Sequence, residues 1–84
     1  MDSTVPPVLT LYHREGCHLC ETMHTQLQQL QAHLGFSLTL VDIDSDEALF
    51  ARFRAKIPVL ALGQDIICCH FLDEDELKYT LDHV

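Results

Sequence analysis

Positive charge is scarce in this chain: five Lys and Arg stand against 13 Asp and Glu in 84 residues, a formal net charge of −8. Such a surface repels phosphate backbones and anionic membranes, so neither nucleic acid nor a lipid bilayer is an expected partner. Long apolar runs are also lacking. None approaches the ~20 residues needed to cross a bilayer, and the chain does not open on a basic segment followed by a signal-type apolar stretch. A cytoplasmic protein is the expectation that follows. Cysteine is limited to four residues, arranged as Cys17-x-x-Cys20 and the adjacent Cys68-Cys69. That arrangement is not the spaced framework of a disulfide-stapled secreted domain. Cys68 and Cys69 would pair poorly with each other, because successive strand side chains point to opposite faces.

What is present suffices for one core: 48% of the residues are hydrophobic, and the length leaves no room for a second domain. Residues 1–7, with Pro6-Pro7 and little to bury, read as a flexible leader, and residues 8–84 as a single domain. Val8-Leu9-Thr10-Leu11-Tyr12 is a short β-prone run followed by the turn-like His13-Arg14-Glu15-Gly16. From Cys20 onward Met23, Leu27, Leu30 and Leu34 recur at spacings of three and four, which is the inner stripe of an amphipathic helix, and Gly35 supplies its stop. Ser37 to Ile43 reads as a second strand, completing a strand-helix-strand unit with a right-handed crossover and two parallel strands. Asp44 with Glu47 forms a capping-box pattern for a short helix reaching to about Lys56, beyond which Pro58 forbids continuation. Pro58–Leu62 and Ile66–His70 are strands joined by a Gly63-Gln64-Asp65 hairpin, hence antiparallel. Asp73 with Glu76, and Leu72 with Leu77, mark the start of a closing helix. The order β-α-β-α-β-β-α builds an α/β fold with a four-stranded mixed sheet flanked by helices, its strands buried on both faces.

The chemistry concentrates at Cys17 and Cys20. A thiol is nucleophilic as thiolate, and the opening turn of a helix stabilises a negative sulfur through its unpaired N–H groups and the positive end of its dipole. Cys17 stands at that place, and Arg14 three residues upstream would add a cation. Cys20 lies one turn deeper on the stripe of Met23 and Leu27, so it is expected to be more buried yet within reach of Cys17. These positions make Cys17 the attacking thiol and Cys20 the resolving one, exchanging electrons with a disulfide through a mixed disulfide. A CxxC between a strand and a helix in a strand-helix-strand unit is the redox form of the motif. His18 falls on the polar side with Glu21, Thr22, Thr25 and Gln29 and is expected in solvent, where a partly protonated imidazole would tune the thiolate. Cys68 and Cys69 read as small apolar fillers of a strand, and Asp73-Glu74-Asp75-Glu76 as a solvated helix start.

With CxxC after the first strand and Ile57-Pro58 before the third, the chain resembles the glutaredoxin-like branch of the thioredoxin superfamily along nearly its whole length. Tyr12 through Cys20 looks like the family's redox segment, with Arg14 where many glutaredoxins carry lysine, and Ile57-Pro58-Val59 resembles their proline segment. The resemblance implies a thioredoxin-like fold and a cis Pro58 facing the cysteines, with Ile57 offering backbone hydrogen bonds to an extended partner. Arg14, His18, Ile57 and Pro58 are thereby expected to contact substrate. The expectation is a monomer that acts on protein or low-molecular disulfides, with no bound cofactor and with glutathione or thioredoxin reductase restoring the dithiol. The chain departs from the family in lacking Pro-Tyr between the cysteines and any tryptophan. The Gly-Gly before Asp that glutaredoxins use for glutathione is replaced by Cys68-Cys69-His70-Phe71-Leu72-Asp73.

Two other functions use the same residues. The CxxC could hold zinc, given two further ligands, or an iron–sulfur cluster shared in a dimer. Alternatively, the fold could persist as an interaction module without useful redox chemistry.

Overall fold

A computed structural model describes residues 5–84; residues 1–4 of the expected leader lie outside it. The elements are β1 (Val8–His13), α1 (His18–Leu34), β2 (Ser37–Asp42), α2 (Glu47–Phe53), β3 (Val59–Leu62), β4 (Asp65–Cys69) and α3 (Glu74–Asp82). They form a single four-stranded sheet in the order β2-β1-β3-β4. β1 pairs parallel with β2 and antiparallel with β3, and β3 pairs antiparallel with β4. This is the mixed sheet that the order of elements predicts. Pro7 is already tied to it, because the Ser37 N–H donates to its carbonyl at 2.8 Å.

Strand alternation divides the interior in two. Leu9, Leu11 and Leu60 turn to the face where Met23 and Leu27 of α1 and Leu77 of α3 close the main core. Val59 faces the other way, against Ile43 and Phe53, with Tyr12 and Phe50 packed alongside. Cover on that second face is limited by the seven-residue length of α2. The outer strand β2 is less buried than expected: Leu40, paired with Leu11 and so on the α1 face, is 44% exposed at the sheet edge.

Gly35 ends α1 as its position predicts: at φ 70° it takes the left-handed conformation that costs glycine little, and its N–H donates to Gln31 at 3.0 Å. Asp73 caps α3, its carboxylate accepting from the Glu76 N–H at 3.0 Å. The second helix differs from expectation. A 3-10 turn at Ile43–Ser45, capped by Asp42, precedes it, and Asp46 rather than Asp44 accepts the N–H groups of Ala48 and Leu49. Burial favours this turn: its first residue, Ile43, lies fully in the second core. A bulge between Leu60 and Ala61 breaks the β3–β4 register. It lets both Ile67 and Cys68 join the main core while Cys69 packs on the opposite face. Among the described residues, no helix is long and apolar enough to cross a membrane.

Candidate redox-active site

The loop after β1 delivers the cysteines. The Cys17 N–H donates to the Arg14 carbonyl at 3.2 Å, closing a turn whose third residue, Gly16, sits at φ 82°. That position favours glycine, and the turn reverses the chain directly into α1. Cys17 is the N-cap: its backbone is extended, and its sulfur accepts the Cys20 N–H at 3.1 Å. The arrangement satisfies one of the orphan donors of the first turn with sulfur in place of the usual oxygen.

Cys17 and Cys20 are joined as a disulfide, with Cα atoms 5.2 Å apart. Cys20 is buried at 3% exposure against the main core, whereas Cys17 is half-buried. One sulfur is therefore open to a partner and the other is screened behind it. His18 lies exposed on the outer side of α1, as its helical position predicts.

Arg14 is beside the site but differently engaged than expected. Its Nε donates to Asp44 Oδ2 at 3.0 Å, and its guanidinium carbon lies 5.1 Å from the Phe50 ring centroid. The charge is thus shared with a carboxylate from the 3-10 turn and is not directed at Cys17 alone. Arg14, Asp44, Cys17 and Ile57 line one depression, so the guanidinium and the open sulfur border the same space. Asp44 is a site residue that sequence reasoning missed. No local pattern pairs two residues 30 positions apart.

The Ile57-Pro58 peptide bond is cis. Pro58 is buried, and its carbonyl accepts the His70 N–H at 2.8 Å. The Ile57 N–H donates to Phe53 at 3.0 Å, so one of the two backbone groups expected to meet a partner is already used internally. Cys68 and Cys69 are free thiols outside the pair. Burial pushes the Cys68 thiol above the ordinary range; a hydrogen bond with the Asp73 backbone opposes that shift, and the charges of Asp73, Cys69 and Glu76 add to it. This thiol stays protonated and resists acting as a nucleophile. Among the described residues, no group of three or more His, Cys, Asp or Glu converges where it could hold a metal ion.

Comparison with known proteins agrees with this geometry. The model of the "Glutaredoxin-like domain" family matches residues 8–82. A solved protein of Nitrosomonas europaea shares 40% identity at a TM-score of 0.80, covering 95% of this chain and 98% of its own. A glutaredoxin-like protein of Dictyostelium discoideum is 29% identical over 82 residues, 90% of this chain and 76% of that protein. Thioredoxin 1 of Thermosipho africanus, at 14% identity, shares the fold alone, with a TM-score of 0.61 over 90% of this chain and 91% of its own. The chain therefore belongs to the glutaredoxin-like family, has a thioredoxin-like fold, and carries a Cys17–Cys20 pair that fits a redox role.

Proposed function

We propose that the protein is a cytoplasmic thiol–disulfide oxidoreductase that uses Cys17 and Cys20 as a dithiol. The observation that carries this reading is the asymmetry of the pair: a half-buried sulfur at the N-cap of α1, bridged to a sulfur only 3% exposed one turn deeper. In the reduced protein the Cys17 thiolate attacks one sulfur of a substrate disulfide, and the other substrate sulfur leaves and takes a proton. Cys20 then loses its proton to solvent and attacks Cys17 Sγ, releasing the second substrate thiol. The substrate gains two electrons and two protons, and the protein is left with the Cys17–Cys20 disulfide seen in the structure.

The N-cap supports the thiolate through the Cys20 N–H and the helix dipole. Arg14 and Ile57, which share the depression with Cys17, position the incoming disulfide, the second through its carbonyl. Pro58, buried beside Ile57, holds that residue's backbone in place, and His18, exposed next to Cys17 at the start of α1, contacts the substrate. The oxidised protein is returned to the dithiol by thioredoxin reductase or by glutathione, with no bound cofactor.

The test is trapping. Cys20→Ser, incubated with a disulfide substrate, should accumulate a mixed disulfide at Cys17 detectable by intact mass. Cys17→Ser should form none and lose turnover. Turnover that survives in Cys17→Ser refutes the assignment.

A further inference from the structure

The chain turns sharply where β4 meets the loop before α3. His70 has φ 68°, and the Phe71 N–H donates to the Cys69 carbonyl at 2.7 Å, which closes a γ-turn of the rare, strained kind. His70 is pinned in it twice more, by its N–H on the Pro58 carbonyl at 2.8 Å and by its ring Nε2 against the Ala55 carbonyl at 3.0 Å. Phe71, the residue that follows this turn, stands 69% exposed. Unfavourable backbone geometry persists where the surrounding structure over-determines it, and such places cluster at ligand clamps.

Phe71 does not stand alone. With Leu19, Met23 and Leu72, and with His70, Thr22 and Gln26 at its polar edge, it lines a cleft of about 120 Å³ against α1. Leu19 lies between the two redox cysteines and is itself 38% exposed, so the cleft begins inside the Cys17–Cys20 motif. Phe71 and Leu72 also line the adjoining depression, whose other walls include Asp73, Glu74 and Asp75. The two side chains form a ridge with the Leu19–Met23 cleft on the redox side and carboxylates on the other.

We infer that this ridge is a specificity device: the Leu19–Phe71 cleft seats an apolar side chain next to the disulfide of a cationic peptide or protein, whose basic residue reaches the carboxylates beyond. The inference rests on the oxidoreductase reading above and names its substrate class. Charge selects the occupant. Asp73, Glu74 and Asp75 on a chain of net charge −8 favour a basic segment over an anionic tripeptide such as glutathione as the occupant of this ridge.

The experiment measures kcat/KM for reduction of two disulfide peptides by the full chain. One has Leu and Lys flanking its cysteine, the other Ser and Asp, and hydroxyethyl disulfide serves as a featureless reference. Seating one apolar side chain gives a preference of roughly tenfold for the Leu/Lys peptide. The lysine share of that preference falls in high salt while the leucine share persists. Phe71→Ser should remove the leucine share, so that in high salt the ratio comes close to one, and Phe71→Leu should keep most of it; Phe71 is exposed, and far-UV circular dichroism verifies that both variants fold. Exchange with hydroxyethyl disulfide combined with equal rates on the two peptides overturns the inference and leaves the redox reading standing. So does a preference unchanged in Phe71→Ser, a preference for glutathione disulfide, or a concentration-dependent dimer that Phe71→Ser abolishes. Absence of exchange with every disulfide removes the redox reading and this inference with it.

Discussion

Arg14 ties the loop that presents Cys17 to the segment before α2, and removing it separates two kinds of attraction. Its ion pair with Asp44 is 3.0 Å long but 48% and 44% exposed at the two side chains, which limits its worth to about 0.2–1 kcal/mol. Its stacking over the half-buried Phe50, at 5.1 Å to the centroid, contributes about 0.5–1 kcal/mol. Arg14→Ala should therefore cost about 1–2 kcal/mol in urea unfolding, with m unchanged. For a domain of this size the same loss lowers Tm by roughly 4–8 °C per kcal/mol. Double-mutant cycles with Asp44→Ala and Phe50→Leu divide the effect. In 1 M salt, where the screening length is about 3 Å, the Asp44 coupling should vanish and the Phe50 coupling should remain. Both couplings disappearing together, or neither exceeding experimental error, refutes the description of Arg14 as a two-sided clamp.

Further expectations concern the helices and the free thiols. Leu27 is fully buried beneath α1, so Leu27→Ala should destabilise by about 3–5 kcal/mol, while the exposed Gln28→Ala stays within about 0.5 kcal/mol; calorimetry of both variants checks the contrast. Asp46→Ala removes the cap of α2 and should cost about 1 kcal/mol by chemical denaturation, more than Asp44→Ala costs once Arg14 has been replaced. Cys68 holds its proton more tightly folded than unfolded, so its contribution to stability is full at neutral pH and is lost as pH rises beyond the ordinary thiol value of about 8.5. Cys68→Ala should flatten the alkaline fall in stability of the oxidised protein, measured by urea titration between neutral and strongly alkaline pH. An unchanged slope counts against the burial argument.

The elements legible in the sequence are those written in short-range pattern. The helical stripe Cys20, Met23, Leu27 required only a spacing of three and four, and all three side chains are buried. Gly35 and Asp73 announced a helix end and a helix start because a left-handed residue and a carboxylate cap act on atoms within one turn. The cysteine pair belongs to the same class: a sulfur at an N-cap and another one turn on are consequences of helical geometry. The depth of Cys20 follows from the face it shares with Met23.

Tertiary structure decided what depends on distant atoms meeting. Whether Arg14 serves the thiol or a carboxylate depended on where the 3-10 turn carries Asp44, and burial of Ile43 in the second core favours that turn. The alternation of β4 was interrupted by a bulge that no two-residue period contains, which is why Ile67 and Cys68 share one face. His70 carries no local signal for a positive φ; the Pro58 and Ala55 carbonyls hold it there, and only the folded chain brings them within reach. Periodicity encodes which way a side chain points along its own element, whereas the partner it meets is set by how the elements pack.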